Sequence, residues 1–396
     1  MYKIKGLFKR ITGAKHFQRY FIASVVVIMG VVIFAVSALQ STEPPPDDPL
    51  IAEATPNPNP SNGEVATPTP TPTPAPTPTA DPWPPDMIRG IFNPLTGEPT
   101  EEDISRNRPF AFVLNNMTVA LPQVGISHVD ILYEFPVEGG ITRMVAFIQD
   151  LSELDTLGSI RSARYYFVSI AESFDAIFAH AGHSYVARDH MSNRNINNLD
   201  GVSGAHARLF HRDPERRRTM GFEHSMVALG QRIYEAIPNF NFRTEHEEGF
   251  ESSLRFSDNA APVNGGSARN VTARITSSKN SLFTYYEEYG QYFMRQFNRD
   301  FVDGETGERV GFTNILLIQT SVTARPGDAA GLRMIETTGS GTGYFINGGY
   351  YTEIRWSRAN ESAQFEYTLP DGSPLLLGVG RTFVGVVPQE LDHTFE

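Results

Sequence analysis

VDILYEFPVEGGITRMVAFIQ, Val129–Gln149, is two apolar runs parted by Val137-Glu138-Gly139-Gly140. The glycine pair is a hairpin signal, because a tight connection needs positive φ at its centre and glycine adopts it without a Cβ clash. VDILYEF and TRMVAFIQ are too short for helices and rich in β-formers, so they read as paired core strands. A two-residue turn at Gly139 and Gly140 sets Glu134 opposite Val145, on the face that also presents Arg143. Two readings of these charges stay open: a mutual ion pair, or a contribution by both to a ligand site.

Upstream, NPLTGEP (Asn93–Pro99) is turn-rich, and Phe110–Leu114 is a short apolar strand ending in Asn115 and Asn116. Downstream, Ala163, Phe167, Ile170, Ala171, Phe174 and Ile177 recur at helical steps, although AIFAH (Ala176–His180) also suits a strand. Met226, Leu229, Ile233 and Ile237 give a second helical pattern, which Pro238 stops. From about Ala268 the chain changes to short alternating runs broken by Asp303-Gly304, Asn347-Gly348 and Asp371-Gly372, dipeptides that favour turns. The expected class is α+β: an N-terminal α/β domain with a short sheet and packed helices (residues 86–265), then a mostly antiparallel β domain (266–396).

The N-terminal region is of another kind. Phe21–Leu39 is a run of 19 residues without a formal charge, near the ~20 that a helix needs to cross a bilayer. Lys3, Lys5, Lys9, Arg10, Lys15 and Arg19 precede it without an acidic residue. Residues 1–20 are therefore read as a cytoplasmic basic tail and 21–39 as a single transmembrane anchor in the cell membrane, with everything beyond extracytoplasmic. A long signal peptide is the other reading of the run. Residues 40–85 hold 16 of the 28 prolines, a composition that favours a disordered Pro/Thr-rich linker of polyproline type. At ~3.1 Å per residue it reaches up to ~140 Å from the bilayer.

The formal net charge is −12, and with six positive charges in the basic tail the remainder carries −18. That balance argues against nucleic acid as a partner and makes any anion site a local arrangement. There is no cysteine, so stability comes from packing rather than disulfides.

One local arrangement stands out in GSIRSAR (Gly158–Arg164), where Arg161 and Arg164 fall at the expected start of the first helix. Ser159 or Ser162 is placed to cap it, and the helix macrodipole adds roughly half a positive charge to that end. Such a collection calls for an anion, from a ligand or from Glu134, Glu138 or Asp175 of the chain itself. Asn115, Asn116 and Gln123 are candidate neutral hydrogen-bonders to the same ligand. In HAGHS (His180–Ser184) residues three apart face opposite sides of a strand, so no metal chelate is expected unless the chain turns at Gly182, and one histidine, His180 among the candidates, is taken as a polar contact or a general acid or base. Phosphate-loop, HExxH and GxSxG signatures are missing, so no cofactor is expected either. Arg216–Arg218 read as a solvated face, and Trp356 with its neighbouring tyrosines as core packing.

NPLTGEP, RPFAFVLNN, GSIRSARYYF and HAGHS, followed by VDGETGERVGFTNILLIQT, GSGTGYFINGG, IRWSRAN and LPDGSPLLLGVGRTFVGVVP, resemble in order the two domains of the YerB-like family of bacterial lipoproteins, whose function is unassigned. The likeness runs from about Asn93 to Pro388. It departs at His183-Ser184, where the family pattern has Gly-Ser, at His224-Ser225, where it has His-Asn, and in the lack of a cysteine for lipid attachment. The resemblance implies an extracytoplasmic envelope protein and is silent about chemistry. The combined expectation is a membrane-anchored protein that binds an anionic envelope polymer or lipid through Arg161, Arg164, Ser162, Arg143, Glu134, Glu138, Asn115, Asn116, Gln123 and His180. The alternative is a phosphotransferase acting on a lipid-linked glycan, because Ser-Ile-Arg near a helix is similar to the LytR-CpsA-Psr enzymes; Glu134 or Glu138 would then serve as base or hold a divalent ion.

Overall fold

The apolar runs of both halves of the chain enter one eleven-stranded sheet. The computed structural model describes residues 85–396, so the basic tail, the apolar run Phe21–Leu39 and all but the last residue of the proline-rich stretch lie outside the described residues. In chain order the strands of the large sheet are β1 (Phe110–Asn116), β2 (Ile131–Pro136), β3 (Thr142–Ile148), β4 (Ile177–His180), β5 (Asn198–Asp200), β6 (Gly266–Ser267), β7 (Asn314–Thr320), β8 (Gly339–Asn347), β9 (Tyr350–Arg358), β10 (Glu366–Thr368) and β11 (Thr382–Pro388). Their order across it is β6-β9-β8-β7-β11-β2-β3-β1-β4-β5, with β10 pairing β9. The class is α+β with much more strand than helix. Among the described residues no helix is long and apolar enough to cross a membrane.

The sheet does not break at the border expected near residue 265. β11, from the end of the chain, runs parallel to β2 of the first half, Ile131 facing Thr382 and Glu134 facing Gly385. On its other side it runs parallel to β7. Turn dipeptides report only hairpins, so a parallel strand returning from far along the chain leaves no local signal. β1, β2, β3 and β11 are buried at every residue, which explains their nearly continuous apolar sequences.

One face of the central strands presents Ala111, Val113, Phe135 and Phe147 to helix α1 (Tyr165–Ser173) through Phe167, Ile170 and Phe174. The other presents Phe112, Leu114, Leu132 and Met144 to Ile160, Leu157 and a second sheet, built on Asn270–Arg274, Asn280–Tyr286 and Gln291–Gln296. Phe283 of that sheet packs on Phe383 of β11 with ring centroids 4.8 Å apart.

Several expectations are corrected. The hairpin turn takes Glu138–Gly140, and Glu134 faces Met144 while Phe135 faces Arg143. A one-residue slip moves a side chain to the opposite face, so Glu134 and Arg143 are separated by the sheet and form no pair. Helix α1 begins at Tyr165 with Arg164 at its N-cap and no side-chain cap, so neither Ser159 nor Ser162 caps it. Ile177 belongs to β4, the strand that AIFAH also suited. Met226–Leu229 is a strand and only Gly230–Ala236 a helix, because a short apolar run with mixed spacing fits either form until its neighbours are fixed.

Glu134 is fully buried and meets Lys279 of the second half at 3.1 Å. Its oxygens also accept from Asn116 Nδ2 (2.8 Å), Thr142 Oγ1 (2.6 Å) and Ser281 Oγ (2.6 Å). Burial lowers the proton affinity of the Lys279 ammonium and the Glu134 charge opposes that. Asp303, from DGETG, likewise accepts from Ser127 N (2.8 Å) and Ser127 Oγ (2.6 Å) of the first half. Arg358, also fully buried, donates to Ser169 O in α1 at 2.8 Å. Removing one partner of a buried pair leaves an uncompensated charge, so Lys279→Met should cost roughly 3–5 kcal/mol in denaturant unfolding. Residues on both sides of position 265 should unfold in one transition; separate transitions for the two halves would contradict the shared sheet.

Candidate functional site

The sheet reverses its connectivity around β1, which has antiparallel β3 on one side and parallel β4 on the other. β5 continues parallel to β4. In open α/β sheets, sites form at the carboxyl ends of parallel strands beside such a switch. β4 stops short of the end of β1, and the extended segment Ser159–Ala163 fills the gap. Asn115 N donates to Ser159 O, Arg161 N to Val113 O, and Ala181 N to Arg161 O. GSIRSAR is thus held on both sides by backbone hydrogen bonds, at the carboxyl ends of β1 and β4 and the start of α1.

Three guanidinium groups gather there. Arg143, from β3, donates to Ser162 O at 2.6 Å. Arg164 reaches the same oxygen at 3.4 Å and Ala163 O at 3.0 Å. Arg161 donates to Glu223 O at 2.7 Å. The carboxylates that answer them differ in kind. Glu138 takes Arg164 in a two-pronged pair at 2.7 and 2.6 Å, both side chains largely buried. Glu223 approaches Arg161 only at 3.4 Å with its side chain 72% exposed. Among the described residues no carboxylate lies within ion-pair distance of Arg143, although its side chain is buried. Burial first, then Arg164 and Arg161, push the Arg143 guanidinium down to about 9, with Glu138 pulling the other way. The Glu138 carboxyl is held below its ordinary value by Arg164, against its own burial. Three cations therefore face two carboxylates.

Asn115 is buried with its Nδ2 2.8 Å from His224 Nδ1 and its Oδ1 accepting from Met117 N. Burial and then Arg161 lower the proton affinity of the His224 ring. Gln123 spans from Asn115 O to Ser159 N and is a structural brace. Asn116 and Glu134 point through the opposite face to Lys279, so these two expected site residues lie away from the guanidinium groups.

His180 is fully buried on the far side of GSIRSAR. Its Nδ1 lies 2.8 Å from Gly182 O and its Nε2 3.2 Å from Asn198 Oδ1. It forms the floor of an open cavity of about 550 Å³ lined by His183, Asn198, Asp200, Ser203 and His206. Gly182, at φ +75°, turns the chain there, between His180 and helix α2 (Tyr185–Asn193). Asp200 holds that turn by accepting from Gly182 N at 2.9 Å. Among the described residues no group of three or more His, Cys, Asp or Glu side chains is disposed to hold a metal ion.

Of the sequence-stated candidates, the structure brings together Arg143, Arg161, Ser162, Arg164, Glu138 and Asn115. Glu223 and His224 join them without a sequence signal that would have selected them, since 62 residues separate Glu223 from Arg161. The two pairs should behave differently in denaturation. Glu138→Gln, which breaks a largely buried two-pronged pair, should cost about 1.5–3 kcal/mol. Glu223→Gln, at the surface, should change stability by less than about 0.5 kcal/mol.

The chain matches two family models: the N-terminal domain of a protein of unknown function, DUF3048, over residues 95–243, and the C-terminal domain of DUF3048 over residues 271–384. It is similar to a Bacillus subtilis (strain 168) protein named "Putative lipoprotein YerB", 28% identical over 308 residues that cover 77% of this chain and 88% of that one. It is also similar to the crystal structure of YerB protein from Bacillus subtilis, with a TM-score of 0.64 and 27% identity, covering 78% of this chain and 100% of that chain.

Proposed function

Because the chain belongs to the DUF3048 family, we propose that it is a membrane-anchored, extracytoplasmic envelope protein whose guanidinium cluster binds an anionic group, a phosphate or carboxylate of an envelope polymer or lipid. The name of the Bacillus subtilis relative supports an envelope location. This chain has no cysteine for a lipid, so the run Phe21–Leu39, behind its basic tail, supplies a single-pass anchor with the N-terminus in the cytoplasm.

The observation that carries the binding reading is the charge surplus around the Ser162 carbonyl. Among the described residues Arg164 is closed by Glu138, Arg143 meets a carbonyl and no carboxylate, and Arg161 has a loose, exposed carboxylate. An incoming anion that displaces Glu223 meets Arg161 directly and lies in the field of Arg143, at a site where planar guanidinium donors favour two-oxygen recognition. Phosphotransfer draws less support: Glu134 is sealed against Lys279 and Glu138 against Arg164, so neither carboxylate is free to act as base.

Titration calorimetry with glycerol phosphate tests this reading. Arg161→Ala should weaken binding at least tenfold while the chain still melts cooperatively, since a charge-assisted contact is worth about 1.5–3 kcal/mol. Glu223→Gln should strengthen it, by removing the internal competitor. Binding that is indifferent to Arg161 would refute the site.

A further inference from the structure

Next to Arg161, the short turn Phe222–His224 is gripped by two guanidinium groups on consecutive carbonyls: Arg161 donates to Glu223 O at 2.7 Å, and Arg212 to Phe222 O at 2.6 Å. Arg212 also lies flat on the Phe222 ring, its guanidinium carbon 3.6 Å from the centroid, and Arg217 approaches the same ring at 5.3 Å. Phe222 is itself 54% exposed. Cations stacked on an aromatic face keep their hydrogen-bonding edges directed outward.

The two groupings are continuous. Arg143 donates to the Ser162 carbonyl next to Arg161, Arg161 and Arg212 hold neighbouring carbonyls of the Phe222–His224 turn, and Arg212 and Arg217 both approach the Phe222 ring. The acids nearby are mostly committed. Asp213 caps helix α3 (Pro214–Met220) by accepting from Arg216 N at 2.7 Å, and Glu215 pairs with Arg218 at 2.5 Å. Glu138, which faces the Arg143 end, is closed on Arg164, and Glu223 approaches Arg161 only loosely.

From this geometry we infer that Arg143, Arg161, Arg212 and Arg217 form one basic row that seats successive phosphates of a linear polyol-phosphate chain, with Phe222 lying against its carbon backbone. This deepens the anion-binding reading above and rests on it. A single headgroup would engage only Arg161 and Arg143. The row exceeds what one phosphate can use, and it lies on a chain whose net charge beyond its basic tail is −18 with the row included, so a polymer is held along the row and repelled elsewhere. Arg216 does not belong to it: its guanidinium is turned inward, onto Ala120 O and Pro122 O.

The test compares glycerol phosphate with a short oligo(glycerol phosphate), both titrated into the full-length chain in detergent over a range of salt. The oligomer should bind more tightly and with a steeper salt dependence, since each additional neutralised phosphate adds to the slope. Arg212→Ala with Arg217→Ala should weaken the oligomer about tenfold and leave glycerol phosphate unchanged. Arg217 is exposed, so Arg217→Glu gives a second variant that does not disturb packing and should act in the same sense. Equal salt slopes for the two probes, with both variants silent, would overturn the row while leaving the Arg161 site standing. Failure of both probes to bind, or binding that Arg161→Ala leaves intact, would remove the anion-binding reading and the row with it.

Discussion

Strand β11 is the constraint on which the rest of the structure depends. Its backbone N–H and C=O groups are shared between β2 of the first half and β7 of the second, and a buried strand cannot leave one ladder unpaired without stranding polar groups away from water. Once β11 lies in that slot, the second sheet is carried onto the face of β2 and β3. Lys279 then meets Glu134, and the DGETG turn reaches the loop that precedes β2. The two halves are one hydrogen-bonded body, joined by the Glu134–Lys279 and Asp303–Ser127 contacts as well as by the shared ladder.

That burial also explains the division of labour among the charges. On the side of β3 facing the second sheet, Glu134 is surrounded by four donors and has no path to solvent. On the side facing α1, Arg143 is also buried but among the described residues donates only to a carbonyl. A lone guanidinium among like charges is costly, and it persists where the surrounding backbone holds it in place. GSIRSAR is such a backbone, braced by Gln123, β1 and the residues after β4. The cation surplus is therefore built into the hydrogen-bonded part of the fold, at a segment held by backbone contacts on both sides.

Much of this was legible in the chain. The strands around Gly139-Gly140, the first helix, the arginines at its start and the β-rich second half follow from periodicity and turn chemistry, and the YerB-like resemblance agrees with the family found. The hairpin register was not legible, because two or three residues in a Gly-containing turn differ by one step and that step exchanges the faces of Glu134 and Arg143. Lys279 was unreadable as a partner because 145 residues separate it from Glu134. Arg212 and Arg217 look like ordinary solvated charges until the Phe222 turn brings them beside Arg161.

The sequence by itself determined which residues form strands, where the apolar faces lie and that a few arginines sit near a helix start, since these depend on local conformation and spacing. Only the tertiary structure decided which carboxylate meets which cation, that two expected domains share a sheet, and that Arg161 and Arg212 hold neighbouring carbonyls of one turn. Coulomb energy and hydrogen bonding depend on distances through space, and those are fixed by strand pairings between residues far apart in the chain.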